Sequence, residues 1–219
     1  MKRLFDLDSS LVLFLDELVD VVILNVICLI CCIPIITIGP AVTAMHYVTI
    51  KMVRGETGYI AKAFFKSFRE NFKKSFVVWM IFLLITAFFV IDYKILQAAG
   101  IEEHKTIAII IASIYLFVCI TVMYIFPILS CFENTLRQTI KNAFFMSILH
   151  FIRTILMAVI YMVPFMILQL GFNMIAVFLL LGLSGPAYIN SFIWKGIFKK
   201  YMPEELEKED DVLKQEEYE

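Results

Sequence analysis

Long apolar runs without charged residues alternate along the chain with short stretches that carry the charges. Residues 21–50, 106–132 and 154–194 contain no Asp, Glu, Lys or Arg. A charge-free apolar run of about 18 residues is long enough to cross the roughly 30 Å hydrocarbon core of a bilayer as a helix. The pattern therefore predicts an all-α, polytopic membrane protein.

Six apolar segments lie within a single integral membrane domain predicted at residues 1–200. They cover about residues 18–37, 40–54, 76–97, 106–131, 153–170 and 173–195. The run 154–194 holds two of them, because its 41 residues would extend over about twice the core thickness as a helix. Residues 201–219 are acidic, lack apolar periodicity and predict a solvated tail on the cytoplasmic side.

The stretch before the third segment predicts an amphipathic helix at the cytoplasmic membrane surface. Apolar residues recur every four positions, at Ile60, Phe64, Phe68, Phe72 and Phe76. The basic residues on the other faces are Lys62, Lys66, Arg69, Lys73 and Lys74. Such a helix can sink its phenylalanines into the acyl boundary and hold its lysines near the headgroups. The alternative is that the phenylalanine stripe packs on another part of the protein.

A second interfacial helix is predicted before the fifth segment. Its apolar positions are Leu136, Ile140, Phe144 and Phe151, and its basic positions include Arg137 and Lys141. Together with the basic residues before the third segment, these form a candidate surface for the membrane or for a partner protein.

The distribution of Lys and Arg predicts the topology. Seven lie between residues 39 and 75, three between 130 and 153, and five from Lys195 onward. The positive-inside rule places these parts, including the C-terminus, in the cytoplasm. If residues 40–54 cross the membrane there are six crossings and a cytoplasmic N-terminus. If they lie at the surface there are five, and the N-terminus is outside.

Two Gly-Pro dipeptides interrupt the apolar sequence and mark a candidate polar site. Proline lacks an amide hydrogen and frees backbone carbonyls, which then need partners in the protein, in water or in a ligand. The candidate residues at and after these dipeptides are Gly39, Pro40, Thr43 and His46, and Gly185, Pro186 and Asn190. Thr49 extends the first set into a polar strip with a spacing of three. A simple kink that lets helices pack is the alternative.

Two short echoes suggest an internally duplicated design. GPAVTAMHYVTIKMV at residue 39 resembles GPAYINSFIWKGIFKK at residue 185, and AFFKS at residue 63 resembles AFFMS at residue 143. Discontinuous helices in repeated halves form the substrate sites of many transporters.

Residue patterns typical of catalysis, metal binding or nucleic-acid binding are not found. His46, His104 and His150 stand in separate segments, and no H-x-x-x-H, G-x-S-x-G or Gly-rich phosphate loop occurs. Cys28, Cys31 and Cys32 share a helix face, where packed thiols are the favoured interpretation over a metal or redox site. The basic residues form no continuous face of the kind that binds nucleic acid. No catalytic, cofactor-binding or metal-binding residue is predicted.

Three stretches resemble the YesL family of small bacterial integral membrane proteins. They are LFDLDSS near the start, FENTLRQTIKNAFFMS from Phe132, and above all the run TIGPA…YVTIK…RGETGYI from Thr37. Members of this family tend to be encoded near carbohydrate-uptake and polysaccharide-degradation genes, so the resemblance implies an accessory role in sugar import. It supplies no catalytic or binding residues.

The leading hypothesis is a multi-pass protein of the bacterial cytoplasmic membrane that assists or regulates carbohydrate uptake without being an enzyme. Its expected partners are the lipid bilayer and subunits of a sugar transporter. The alternative is a transporter of a sugar or oligosaccharide, with its site at the Gly-Pro helix breaks. A membrane-embedded enzyme comes third, because no catalytic group can be named for it.

Overall fold

The structure is a computed structural model that describes residues 10–56, 58–99, 104–169, 171 and 175–201. Within these residues the chain is helical and contains no strand, so the all-α prediction is confirmed. The helices are α1 Ser10–Cys32, α2 Ile38–Arg54, α3 Ile60–Ala99, α4 Lys105–Cys131, α5 Leu136–Leu149, α6 Phe151–Leu168, α7 Ile175–Leu181 and α8 Ser184–Phe198, with a 3-10 turn at Ile35–Thr37. Most of the predicted turn at 169–173, and the tail beyond Tyr201, lie outside the described residues.

Three described helices, α3, α4 and α6, are long and apolar enough to cross a membrane. α7 and α8 provide a fourth if the pair, bent by 44° at its break, counts as one span. Only 11–17% of the apolar windows of α3, α4 and α6 is buried, as expected for helices that face lipid. The predicted total of five or six also needs α1, which carries three acidic residues, and α2, which has only 17 residues. That total stays a prediction.

α3 differs from the prediction of an interfacial helix followed by a separate span. Residues 60–99 form one continuous helix of 40 residues, about 60 Å long. No Gly or Pro occurs in this stretch to interrupt the backbone hydrogen bonds. Phe64 is fully buried among side chains of α1 and α2, and Phe68 is half-buried beside it. At these two positions the phenylalanine stripe packs on the protein itself, which was the alternative reading.

α2 is the central helix of the bundle. Eleven of its 17 residues are buried, and it packs against α1, α3, α4 and α8. α8 runs parallel to α2, since Ser191 contacts Thr49 and Lys195 contacts Val53. α1 runs antiparallel to α8 and therefore to α2. The chain thus returns along α2 towards the end of the bundle from which α1 started.

Three side-chain contacts bring the basic connections to one end of the bundle. The Lys195 ammonium donates to the Val53 carbonyl at 3.0 Å, which joins the ends of α8 and α2. The Lys74 ammonium donates to the Asn134 carbonyl at 3.0 Å, which joins α3 to the α4–α5 connection. His150, between α5 and α6, contacts the Tyr201 hydroxyl after α8 at 3.3 Å. This arrangement agrees with the predicted placement of these connections on one side of the membrane.

Candidate functional site

The two Gly-Pro dipeptides occupy the same place in their helices. α2 begins at Ile38 and α8 at Ser184, so each dipeptide fills the second and third helical positions. Proline is tolerated in the first turn of a helix because its missing N–H would have no partner there. Each break in the chain therefore precedes the dipeptide instead of coinciding with it. The first sequence echo thus corresponds to two structurally equivalent helix starts.

Asn25 of α1 occupies the break between α7 and α8. Its amide nitrogen donates to the Leu179 carbonyl at 2.7 Å. Its Oδ1 accepts from the backbone N–H groups of Leu183 and Ser184, both at 2.9 Å. The Ser184 hydroxyl donates to the Val21 carbonyl at 2.8 Å, back on α1. The backbone groups freed by this break thus find partners on α1, as broken helices at membrane depth require.

The break between α1 and α2 is closed in a similar way. The Thr37 hydroxyl lies 2.7 Å from the Cys31 carbonyl and 2.8 Å from the Pro34 carbonyl. The indole N–H of Trp79 in α3 donates to the Ile35 carbonyl at 2.7 Å. Gly39 lies so close to α3 that an added Cβ would come within 2.6 Å of the Trp79 Cβ. This Gly-Pro element is a packed joint.

Gly185 and Pro186 lie beside an apolar cavity between α6, α7 and α8. Its volume is about 320 Å³, and its walls include Pro164 and Phe178. Its lining side chains are hydrophobic apart from the glycines, so it offers a sugar no hydrogen-bond partners. The prediction that the dipeptides themselves form a polar site therefore receives no support from their surroundings.

The predicted polar strip of α2 is buried and joins α2 to three other helices. Thr43 shares a 2.8 Å hydrogen bond with Ser75 of α3. The Ser191 hydroxyl of α8 lies 2.8 Å from the Thr49 hydroxyl. His46, between the two threonines, lies with its Nε2 3.3 Å from the hydroxyl of Tyr161 in α6. The spacing of three thus identifies the polar contacts of α2.

A buried polar cluster forms around Tyr161, and its other members are His46, Asn190 and Trp194. Asn190 and Trp194 of α8 lie close to the Tyr161 hydroxyl. Asn190 donates to the Met157 carbonyl at 3.4 Å. Three polar atoms of the cluster are buried without a hydrogen-bond partner: His46 Nδ1, Asn190 Oδ1 and Trp194 Nε1. Two of the predicted site residues, His46 and Asn190, are therefore brought together.

The chemistry of the buried polar cluster is that of neutral donors and acceptors. An indole N–H donates, an amide oxygen accepts, and an imidazole nitrogen does either according to its tautomer. Leaving such atoms unpaired in a protein interior costs about 1–3 kcal/mol each. A buried water or a ligand hydroxyl carries the matching donor and acceptor. Tyr161 and Trp194 were missed from sequence, although Tyr161 is the only polar-tipped residue between Thr154 and Gln169.

Most residues of the predicted basic surface are exposed. Lys74 is half-buried through its bond to the Asn134 carbonyl, and the other six residues are exposed. These are Lys62, Lys66, Arg69, Lys73, Arg137 and Lys141. Lys66 and Lys74 line a charged cavity, whereas Lys62, Arg69 and Lys73, which share a helical face with Lys66, do not line it.

The three cysteines of α1 are free thiols, and Cys28 is buried beside α2. Among the residues that the structure describes, no group of three His, Cys, Asp or Glu side chains is placed to hold a metal ion.

Comparison with known proteins bears on the part of the chain that contains α2. Residues 21–93 match a family described as "Protein of unknown function, DUF624". The "Uncharacterized protein YesL" of Bacillus subtilis (strain 168) is 28% identical over 120 residues, which are 54% of this chain and 56% of that relative. Over about half its length the chain is thus similar to YesL. The resemblance expected from the run after Thr37 is thus confirmed.

The match to the DUF624 family covers only part of the candidate site. The 21–93 range holds Asn25, the polar strip of α2 and the basic residues of α3. Tyr161, Asn190 and Trp194 lie beyond it. The chain spans about half the length of the curated relative it matches. A comparison with solved structures finds no match.

Proposed function

We propose that this YesL-like protein is a non-enzymatic accessory or regulatory component of a bacterial carbohydrate-uptake system. It docks its partner through the exposed basic stripe of α3, formed by Lys62, Arg69 and Lys73. The observation that carries the proposal is that these three residues share a face and form no ion pair within the described residues. Unpaired exposed cations suit an acidic partner surface, which they attract over about a Debye length.

The interior of the bundle supports a docking role over a solute pathway at the helix breaks. Asn25, Thr37 and Trp79 already occupy the backbone groups that a substrate would use there. The role in sugar uptake is inferred from the family resemblance. The proposed partner is therefore a subunit of a sugar transporter. Arg137 and Lys141 of α5 are also exposed and offer a second basic contact to the partner.

The proposed membrane placement follows from charge and helix direction. The protein lies in the cytoplasmic membrane with its basic end and C-terminus in the cytoplasm, as the positive-inside rule requires. α1 and α2 are antiparallel, so we propose that their outer ends, and with them the N-terminus, lie on the cytoplasmic side.

Affinity purification from native membranes tests the docking role. The tagged chain, solubilised in a mild detergent, should recover subunits of a sugar transporter. The triple charge reversal K62E/R69E/K73E should lose them. K94E reverses one exposed charge at the opposite end of α3 and should keep them. Recovery of no transporter subunit by the wild-type chain would overturn the proposal.

A second candidate is a transporter of a small neutral polar solute, and the buried polar cluster favours it. Its three unpartnered atoms match a hydroxyl-bearing ligand in chemistry, although they lie away from the Gly-Pro dipeptides. Purified protein in liposomes should then move a sugar or oligosaccharide without any other protein. N190A should abolish the flux, and failure of the wild-type chain across a broad sugar panel would reject this candidate.

A further inference from the structure

A charged cavity of about 690 Å³ lies where α2, α3 and the α4–α5 connection meet. Tyr47 of α2 forms one wall, and residues 129–133 form another. Four charged side chains line it: Lys66, Glu70 and Lys74 of α3, and Glu133. The cavity is large enough to take a small charged ligand or a lipid headgroup.

The four charged groups of the charged cavity do not neutralise one another. Glu70 lies four residues from Lys66 and four from Lys74, the spacing at which ion pairs form on a helix. Nevertheless, no ion pair joins any of the four within the described residues. Lys74 instead donates to the Asn134 carbonyl, which holds the α4–α5 connection against α3. Two positive and two negative groups therefore face one space and remain available to a ligand that carries both signs.

The charged cavity lies at the boundary between polar and apolar sequence. The apolar part of α3 begins directly after Lys74, and α4 ends at Cys131, which lines the cavity. For two helices that cross a bilayer, this boundary corresponds to the level of the lipid headgroups.

A separate apolar groove lies further along the same two helices, α3 and α4. Its volume is about 340 Å³, and hydrophobic side chains of α3, α4 and α5 line most of it. On α3 the lining residues of the groove begin at Val78, one helical turn after Lys74, and reach Ile85. On α4 they begin at Ile125, one turn before Leu129 of the charged cavity. A polar compartment is thus followed by an apolar one on the same pair of helices.

We propose that this combined cleft binds one zwitterionic phospholipid of the phosphatidylethanolamine type. Lys66 and Lys74 hold the phosphate, Glu70 and Glu133 hold the ammonium group, and an acyl chain lies along the apolar groove. An anionic lipid such as phosphatidylglycerol matches less well, because it has no cation for the two carboxylates and is repelled by them. The site is independent of the proposed role in sugar uptake.

Lipid-resolved native mass spectrometry tests the site. The purified full chain is exchanged into detergent with equal amounts of phosphatidylethanolamine and phosphatidylglycerol, and the bound lipid is counted. Wild type should retain phosphatidylethanolamine in preference to phosphatidylglycerol. K66Q/K74Q should weaken its retention by roughly tenfold or more, since each charge-assisted contact to the phosphate accounts for about one order of magnitude. E70Q/E133Q should shift the preference towards phosphatidylglycerol.

K62Q/K73Q is the matched control, because it removes the same charge from two residues of α3 that do not line the cavity. It should leave retention unchanged. Since Lys74 also bonds to the Asn134 carbonyl, the single K66Q repeats the test if the double variant unfolds. Soluble glycerophosphoethanolamine should compete only weakly, because it lacks the acyl chain. Equal retention of both lipids by wild type, or equal loss in K62Q/K73Q and K66Q/K74Q, would overturn the proposal.

Discussion

The Oδ1 atom of Asn25 lies 2.9 Å from the backbone nitrogen of Ser184, 159 positions further along the chain. This hydrogen bond fixes α1 against the start of α8 and closes the break after α7. A single polar side chain inside the first apolar run therefore joins the first helix, α1, to the last one described, α8.

Replacement of Asn25 by alanine should destabilise the protein. The backbone N–H groups of Leu183 and Ser184 and the carbonyl of Leu179 would lose their partner, and each costs about 1–3 kcal/mol when unsatisfied in an apolar interior. Chemical unfolding in detergent should show a loss of at least about 2 kcal/mol. V26A, at the exposed neighbouring position, is the control and should change little. An N25A variant as stable as wild type would contradict the role of this side chain.

The two Gly-Pro-Ala elements should respond differently to an added methyl group. A Cβ on Gly39 would lie 2.6 Å from the Trp79 Cβ and 2.7 Å from the Ser75 carbonyl, so G39A should cost about 1–3 kcal/mol through overpacking. A Cβ on Gly185 would have its nearest neighbour at 3.5 Å, so G185A should be tolerated. Thermal unfolding of both variants measures the difference. Equal effects would show that the two helix starts are equally crowded.

The contact between His46 and Tyr161 should appear as an energetic coupling. Y161F removes the hydroxyl that lies 3.3 Å from the His46 Nε2, and should destabilise the protein by about 1–2 kcal/mol. In an H46L background the same change should cost less, with a coupling of about 0.5 kcal/mol or more in a double-mutant cycle. Y93F, at an exposed tyrosine, serves as the control. If the changes in unfolding free energy of H46L and Y161F were simply additive, the two side chains would not interact.

Stability should fall in mild acid because of His150, which lies just before α6. Burial, and then the cations Arg153 and Lys200, lower the pKa of His150 from its usual 6.5. The unfolded chain therefore binds more protons than the folded one below about pH 6.5, and the folded state loses stability as the pH falls through this window. H150Q should flatten the decrease between about pH 7 and pH 5. Unfolding midpoints of wild type, H150Q and the control H104Q, measured across this pH range, test the prediction.

Side-specific labelling of single cysteines should reveal the direction of α1 and α2. In a background without the native cysteines, D8C and T57C should react from the cytoplasmic side, because α1 and α2 are antiparallel. Labelling of I36C, at the exposed turn between them, from outside would give six crossings, with α2 as a return crossing. Labelling of D8C from outside would give five crossings and a surface position for α2.

Hydropathy and periodicity alone predict the helical membrane class, the apolar segments and the polar strip of α2. These features depend on the composition of each segment and on the period of an isolated helix. The continuity of α3 was also readable, since residues 60–99 contain no Gly or Pro. The equivalent helix starts at Gly39 and Gly185 follow from a local property of proline, which is accepted in the first turn.

The burial of individual side chains and their hydrogen-bond partners depend instead on contacts between distant segments. AFFKS and AFFMS look alike, yet Phe64 is fully buried while Phe144 is 44% exposed, because only α3 lies against α1 and α2 at that point. Tyr161 and Trp194 join His46 and Asn190 through the packing of α6 and α8 on α2. No local pattern encodes such a meeting. Burial depends on what the remainder of the chain places beside a residue, and hydrogen-bond partners at helix breaks are supplied from wherever the fold brings a polar side chain.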